Sequence, residues 1–408
     1  MGKEKKMKKI LSLVLVALMV LTSVVALASC KKDDDDKKEE KKIKVGFIFL
    51  HDENSTYDLN FMNAVKEVQK KLNLSDDQVI LKTNIDETED CYTAAAELVD
   101  SGCSLIFADS FGHESYMIQA AKEFKDVQFC HATGTRAHTE GLSNYHNAFA
   151  SIYEGRFLAG VAAGMKLNEM IEAGDFTADE AKMGYVGAKP YAEVKSGYTA
   201  FYLGAKSVCP TVTMDVTFTN SWYDETAEKE AALKLIKGGC KLISQHADSM
   251  GAPKACENAG VPNVSYNGST VKDCPNTFIV SSAINWAPYM EYIITSVQNG
   301  TTIDTDWTGT IKTGSVILTD VNTAAAAAGT VEKLAEIKEK LEKGELNVFD
   351  TSTFTVKGEK LTSYKADVNY DENYTADTEV VKDGAFLEST YRSAPYFDID
   401  IDGINVDK

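Results

Sequence analysis

The sequence predicts an α/β protein made of two lobes with like topology, each built on a parallel sheet covered by helices. Three observations support this prediction. From Lys42 onward, short apolar segments alternate with amphipathic segments, which is typical of parallel α/β sheets. The alternation occurs twice at a nearly constant offset along the chain. The 408 residues, 44% of them hydrophobic, exceed what one ordinary core accommodates, so two domains are expected.

The first round of the alternation predicts four strands and three helices. Short runs of β-branched and aromatic residues indicate the strands, and apolar residues at helical spacing indicate the helices. The predicted strands are 43–49, 79–81, 104–108 and 127–130, and the predicted helices are 58–72, 90–101 and 114–124.

The second round repeats the first. Lys182–Gly187 is similar to Lys44–Phe49 at an offset of 138 residues, and Gly239–Ile243 is similar to Gly102–Ile106 at an offset of 137. Two similarities at nearly one offset predict a duplicated topology, and chance likeness between two α/β units is the alternative. Lobe one is predicted at 43–155, completed by about 276–310, and lobe two at 156–275, completed by about 311–345.

The first 29 residues are predicted to be a signal peptide. Five lysines precede an almost unbroken apolar stretch, Ile10–Leu27, and Leu-Ala-Ser-Cys follows at 27–30. Small residues before a cysteine, followed by a charged tether at 30–42, resemble the lipobox of bacterial lipoproteins. That resemblance implies cleavage after Ser29 and a lipid on Cys30; a plain membrane anchor is the alternative. We expect the protein on the extracytoplasmic face of the cell membrane, held by its lipid.

Composition excludes several classes of function. The 42 Lys and Arg against 61 Asp and Glu give a net charge of −19, so no nucleic-acid partner is expected. The seven cysteines after Cys30 have no C-x-x-C spacing and are interpreted as small core residues. The six histidines have no metal-binding spacing, and neither G-x-S-x-G nor a Walker loop occurs. We therefore expect no metal, no cofactor and no catalysis.

Polar and aromatic loops follow the predicted strands of both lobes, at 51–57, 109–112, 245–249 and 266–269. Ligands of parallel α/β sheets bind at the carboxyl ends of the strands. These loops therefore predict a small-molecule cleft between two lobes that close about a hinge. Candidate contact residues in the loops are Ser110, Phe111, His246 and Asp248, and a structural hydrogen bond is the alternative role for His246.

After an amphipathic helix at 330–345, residues 346–408 are predicted to form an acidic C-terminal extension. Asp398–Gly403 begins like a calcium-binding EF-hand loop. A solvated acidic end is the favoured interpretation.

Several separated segments resemble the basic membrane protein family of substrate-binding lipoproteins. They are 130–164, 217–224, 245–249 and 285–289, within a resemblance that covers most of 43–315. The resemblance implies a type I periplasmic-binding fold with two Rossmann-like lobes. It also implies capture of a purine nucleoside or nucleobase by a monomer, for the permease and ATPase subunits of an ABC importer.

In this family, two aromatic rings, one from each lobe, stack on the purine. By motif these rings fall on Tyr57 and Trp222, and a stacked base gains roughly 1–3 kcal/mol per ring. The alternatives are packing of Tyr57 at a helix start and of Trp222 in the core. Polar residues beside Tyr57 are candidates to bind the edge of the base or to cap the following helix: Asp52, Asn54, Ser55 and Thr56.

Two positions depart from the pattern of the nucleoside binders. An Asp and a Lys that grip the ribose are replaced by Asn267 and Asn285. Amides retain hydrogen bonding but lose the charge-assisted bonds, which are about twice as strong. Trp286 could also occupy the space of the sugar. The sequence therefore leaves free purine base and purine nucleoside as competing ligands.

Two further classes of function compete with transport. A lipoprotein that senses a ligand and signals to a membrane receptor would use the same fold and cleft. A nucleoside hydrolase would need carboxylates at a defined separation, and Asp52, Glu53 and Asp109 are the available set. No motif fixes their separation, so the sequence predicts a binding protein rather than an enzyme.

Overall fold

The computed structural model describes residues 43–369 and 374–407, so the predicted signal peptide and Cys30 lie outside the described residues. The helices of this part are α1 (Thr56–Lys71), α2 (Glu89–Asp100), α3 (Glu114–Glu123), α4 (Ala137–Glu140), α5 (Ile152–Ala173), α6 (Ala192–Val208), α7 (Glu225–Lys237), α8 (Gly251–Ala259), α9 (Ala287–Asn299) and α10 (Thr330–Glu342). Across 43–369 and 374–407, no helix combines the length and apolarity that crossing a membrane requires.

The strands form two main sheets, with short hairpins in the C-terminal extension. The strands are β1 (Val45–Ile48), β2 (Val79–Lys82), β3 (Leu105–Ala108), β4 (Gln128–Ala132), β5 (Tyr145–Ala150), β6 (Lys182–Gly187), β7 (Thr213–Phe218), β8 (Leu242–Gln245), β9 (Asn263–Tyr266), β10 (Phe278–Ile284), β11 (Asp306–Gly309), β12 (Val316–Leu318), β13 (Lys365–Ala366), β14 (Thr378–Glu379), β15 (Val381–Lys382), β16 (Ala385–Phe386) and β17 (Ile404–Val406). The strands and helices predicted from 43 to 130 are all present, with ends that differ by a few residues.

The two sheets share one internal order. Lobe one has the order β11-β5-β4-β3-β1-β2, and lobe two has β12-β10-β9-β8-β6-β7-β17. The run β5-β4-β3-β1-β2 matches β10-β9-β8-β6-β7 strand for strand, and these neighbours pair in parallel. The predicted α/β class and the duplicated topology are confirmed.

Two pairs of glycines explain the repeated sequence. A Cβ on Gly46 of β1 would lie 2.7 Å from a side chain of α2, and one on Gly184 of β6 would lie 2.6 Å from a side chain of β8. Gly102 and Gly239 follow α2 and α7 with φ of +85° and +94°, a conformation that favours glycine. The same close packing and the same helix exit occur in each lobe, so the same residue recurs.

The crossings between the lobes correct one predicted boundary. β10 pairs with β9 in the second sheet, whereas residues from about 276 were expected in lobe one. The chain returns to lobe one after β10, where α9 packs on α1 and β11 pairs with β5. β12 then rejoins the second sheet, antiparallel to β10.

The C-terminal extension is folded, which corrects the expectation of a solvated acidic end. β17 pairs in parallel with β7 at the edge of the second sheet. The extension can fold because apolar and acidic residues alternate along it. Ile399 and Ile401 are buried, while Asp398 and Asp400 lie 2.9 and 3.4 Å from the amine of Lys195. Every second residue therefore contributes to a core, although the composition is acidic.

The seven cysteines that the structure describes are free and buried. Burial raises the pKa of the Cys130 thiol to about 12 and that of the Cys240 thiol, which also lies near Asp215, to about 12. Such thiols remain protonated and unreactive at neutral pH. Their interpretation as core residues is confirmed.

Candidate ligand-binding site

A cavity lies where the carboxyl ends of the strands of both lobes meet. It is lined by Leu50, His51, Tyr57, Asp58, Ser110, Phe111 and Thr133 of lobe one and by Glu193, Trp222, His246, Asp248 and Tyr266 of lobe two.

Tyr57 lies in the first turn of α1 and lines the cavity from lobe one. Its hydroxyl donates to the backbone carbonyl of Asp109 at 2.8 Å, and its ring packs edge-on against Phe61 with centroids 4.9 Å apart. Burial raises the pKa of Tyr57 well above its usual value, so the phenol is neutral. The ring is held in place by its hydroxyl and by Phe61.

Trp222 follows β7 and lines the cavity from lobe two. Its ring packs edge-on against Tyr191, with centroids 5.8 Å apart, and the amine of Lys189 lies 5.2 Å from the indole centroid. Within the described residues the buried indole Nε1 has no hydrogen-bond partner. Trp222 therefore offers both an aromatic ring and an uncommitted N–H donor.

Direct contacts join the two lobes beside these rings. The N–H and the hydroxyl of Thr56 both donate to the backbone carbonyl of Asp248, at 3.1 and 3.2 Å. The Lys189 amine lies 3.5 Å from the Glu87 carboxylate. The structure is thus a closed form of the cleft.

The positively charged side chain of Arg156 is buried in lobe two. The guanidinium of Arg156 lies 3.4 Å from the centroid of the Tyr266 ring and 3.0 Å from Nδ1 of His246. Since a guanidinium has only donors, Nδ1 accepts. Burial lowers the pKa of His246, so the neutral ring carries its proton on Nε2, which faces Glu193 Oε1 at 3.4 Å.

Asp248 presents a carboxyl group to the cavity. Burial, reinforced by the nearby charges of Asp58, Glu228 and Glu193, raises the pKa of Asp248 well above its usual value. A protonated carboxyl both donates and accepts. This combination matches the edge of a heterocycle that carries an N–H beside a ring nitrogen or a carbonyl.

Two buried carboxyl groups of lobe one have structural partners. Burial opposes ionisation of Asp58, but hydrogen bonds from His51 and Ser55 hold its pKa below the usual value. Burial and the neighbouring Asp58 raise the pKa of Asp109 well above its usual value, and Asp109 accepts from the Leu50 N–H at 3.2 Å. These groups order the loop after β1.

The acid/base set considered for a hydrolase is not assembled. The Asp52 carboxylate accepts from the backbone and the side chain of Asn54 at 3.0 and 2.8 Å, and those bonds lower its pKa. Asp109 is buried and belongs to the loop network described above. Asp52 and Asp109 thus have separate partners and separate surroundings.

The predicted contact residues divide into two groups. Those that line the cavity are Tyr57, Ser110, Phe111, Trp222, His246 and Asp248. The predicted contact residues near Tyr57 that do not line the cavity have other partners. Asp52 accepts a hydrogen bond from Asn54, and Ser55 caps α1 by accepting from the Asp58 N–H at 3.2 Å. Thr56 contacts lobe two, as described above.

Three predicted contact residues do not line the cavity. Trp286 is buried in the core of lobe one, stacked on Phe61 with centroids 4.5 Å apart, so it does not occupy the space of a sugar. The Asn285 amide donates to the Gly314 carbonyl at 3.1 Å and accepts from the Ala287 N–H at 3.2 Å. Asn267 is buried in a left-handed turn, with φ of +63°.

The sequence reasoning missed six lining residues: Leu50, His51, Asp58, Thr133, Glu193 and Tyr266. A signal existed for Glu193, because the loop after β6 corresponds to the loop after β1 in the repeat. His51 and Tyr266 lie in loops that the sequence predicts at the cleft, 51–57 and 266–269, although neither is among the individually predicted contact residues. Thr133 has φ of +64°, which sequence spacing does not reveal.

Fold and cleft together are those of the two-lobed, type I periplasmic-binding fold. Two solved ABC transporter solute-binding proteins share this fold. The one from Aeropyrum pernix K1 has a TM-score of 0.65 and 16% identity, covering 75% of this chain and 93% of its own. The one from Conexibacter woesei has a TM-score of 0.60 and 18% identity, covering 75% and 98%.

Residues 48–350 match the family described as ABC transporter substrate-binding protein, PnrA-like, and the chain belongs to this family. A purine-binding protein of Brucella abortus is 32% identical over 314 residues, which is 76% of this chain and 83% of that protein. A putative ABC transporter glucose-binding protein of Haloferax volcanii is 32% identical over 251 residues, 61% of this chain and 60% of that protein. The resemblance is confirmed, and the family is one of binding proteins rather than enzymes.

Proposed function

We propose that this protein captures a purine, as the free base or the nucleoside, and delivers it to the permease of an ABC importer. The observation that carries the proposal is the placement of Tyr57 and Trp222 on opposite lobes around one closed cavity. Two aromatic rings bind a flat heterocycle without requiring a particular pattern of hydrogen bonds, and each stacked ring contributes roughly 1–3 kcal/mol.

Polar groups of the same cavity provide the specificity. The neutral Asp248 carboxyl lines the cavity and offers both a donor and an acceptor to the edge of the ring. A purine carries ring nitrogens and an exocyclic group that complement them. The name of the relative from Brucella abortus supports the same class of ligand.

The proposed location follows from the N-terminal sequence. The apolar stretch that ends in Leu-Ala-Ser-Cys at 27–30 carries the proposal of a lipid on Cys30 and an extracytoplasmic position. There a lipid-anchored monomer would meet the permease while its cleft remained open to solutes. The permease and the ATPase are the proposed protein partners.

Calorimetry on the soluble chain tests the ligand class directly. Adenine, guanine, adenosine, guanosine and glucose are titrated into protein that has been unfolded and refolded to remove copurified ligand. We expect at least one purine to bind about tenfold or more tightly than glucose, a difference of about 1.4 kcal/mol. Tighter binding of glucose than of every purine would contradict the proposal and favour the function named for the relative from Haloferax volcanii.

A further inference from the structure

A second cavity adjoins the ligand cavity. Phe111, Thr133 and Glu193 line both. The second cavity is called the side chamber below. Three residues of the C-terminal extension also line it: Arg392, Ala394 and Pro395. These three residues lie beyond residue 350, where the match to the family ends.

The segment 388–398, called the strap below, is fixed to both lobes. On lobe one, the Ser393 N–H donates to Asp306 Oδ1 at 2.8 Å. On lobe two, the hydroxyl of Ser196 donates to the buried Glu388 carboxyl, and Lys195 pairs with Asp398 at 2.9 Å. The strap therefore forms a wall of the side chamber while the lobes are closed.

The wall is stiffened from within. The Arg392 guanidinium donates to the backbone carbonyls of Ala394, Pro395 and Val368 at 3.1 to 3.2 Å. It also lies 5.6 Å from the centroid of the Tyr396 ring. These bonds hold 392–395 in one conformation and direct the guanidinium to backbone oxygens, so its role here is to shape the wall.

The side chamber offers space for a substituent beside the ligand cavity. Asn267 and Asn285, where the family resemblance places the grip on ribose, do not line the ligand cavity. The Asn285 amide is already bonded to Gly314 and Ala287. A group attached to a ring between Tyr57 and Trp222 has room instead past Phe111, Thr133 and Glu193.

We propose that the substituent of the bound purine lies in the side chamber against strap residues 392–395, so that the C-terminal extension is part of the ligand site. This inference rests on the proposed function and narrows it to purines that carry an uncharged, hydroxyl-bearing group. Glu193 lines the same space, and its carboxyl oxygens can accept hydroxyl hydrogens. Thr133 and Thr135 also line it; their hydroxyls donate to the Ala132 carbonyl and to Glu114, so they can only accept from a ligand. The Glu193 carboxylate repels a phosphate, so nucleotides are rejected.

The test replaces a small residue of the strap by a larger one that occupies the side chamber. Ala394 is 3% exposed and lines the chamber, so Ala394→Trp occupies it, and Ala394→Leu provides a milder second variant. Ala376, which is exposed on the same extension, supplies the matched control Ala376→Trp. Calorimetry with adenine, adenosine and adenosine monophosphate is run on the full chain, with thermal unfolding to confirm that each variant is folded.

We expect Ala394→Trp to lower the affinity for adenosine by about tenfold or more, while the affinity for adenine changes by less than about threefold. The adenosine affinity of Ala394→Leu is expected to lie between those of wild type and Ala394→Trp. Ala376→Trp is expected to bind adenosine as wild type does. Wild type is expected to bind adenosine monophosphate more weakly than adenosine. Equal losses for adenine and adenosine, no loss in either Ala394 variant, or tighter binding of the monophosphate would overturn the side-chamber proposal alone. A wild type that binds no purine would overturn the proposed function and this inference with it.

Discussion

Thr56 of lobe one donates two hydrogen bonds to the backbone carbonyl of Asp248 in lobe two. Thr56 directly precedes Tyr57, and the Asp248 N–H donates to the Trp222 carbonyl at 3.0 Å. The bonds that close the lobes are therefore made by residues directly connected to the two that carry the rings proposed to stack on the ligand. Because a ligand shifts an equilibrium by its differential affinity for the two states, stacking on both rings favours closure.

Replacing the Thr56 hydroxyl tests this connection. Thr56→Val keeps the N–H bond and removes the second bond, which is worth about 0.5–1.5 kcal/mol. We expect purine affinity to fall roughly two- to tenfold, mainly through faster dissociation in stopped-flow fluorescence. Thr93→Val, at an exposed position of α2, is the control. An unchanged dissociation rate in Thr56→Val would show that this bond does not stabilise the closed form.

Trp222 and Trp286 are expected to contribute differently to stability. Trp286 is 1% exposed and stacked on Phe61, so Trp286→Ala should lower the free energy of unfolding by about 3–5 kcal/mol. Trp222 is half-buried at the cavity, so Trp222→Ala should lower it by less than about 1.5 kcal/mol. Urea denaturation without ligand measures both. Equal losses of stability would place Trp222 in the core as well.

Glu388 gives a prediction for pH. Burial raises the pKa of Glu388 to about 7, while an unfolded glutamate titrates near 4.3. Between these values the folded state holds a proton that the unfolded state has released, so stability from this group falls as pH rises from about 4.5 to 7.

Glu388→Gln removes that titration but keeps an oxygen to accept the Ser196 bond. The stability of Glu388→Gln relative to wild type should therefore increase by on the order of 2 kcal/mol between pH 4.5 and 7.5. Thermal unfolding across this range measures the difference, with the exposed Glu359→Gln as control. A difference that is constant with pH would mean that Glu388 titrates normally in the folded protein.

The lipid anchor is tested by Cys30→Ser. The variant cannot receive a thioether-linked lipid, so we expect it to leave the membrane fraction or to remain uncleaved. Fractionation with immunoblotting and intact-mass measurement reads both outcomes. A variant that is processed and membrane-bound like wild type would refute lipidation at Cys30.

The repeat and strand ends were predictable because their signals are local. Gly46 and Gly184 recur because each strand packs closely against its neighbours, and the loops after β1, β3, β7 and β8 contribute Tyr57, Ser110, Trp222 and His246 to one cavity. Their convergence needs only the rule for parallel sheets.

Other features depended on partners that are distant in sequence. Trp286 follows a strand like the other candidates, but its ring meets Phe61 of α1 in the core. The acidic composition of the extension favours a solvated end, and the alternation at Ile399 and Ile401 points the other way. That alternation could have indicated a strand-like, half-buried segment, whereas the pairing of β17 with β7 follows only from the three-dimensional structure.

The central claim is that Tyr57 and Trp222 bind one purine from opposite lobes. Calorimetry of the tightest purine ligand is compared among wild type, Tyr57→Ala, Trp222→Ala and the ring-preserving Trp222→Phe. Losing one stacked ring should weaken binding by about 1–3 kcal/mol, or roughly 5- to 150-fold, in each alanine variant. Trp222→Phe should retain most of the affinity. Affinity equal to wild type in both alanine variants would contradict the account.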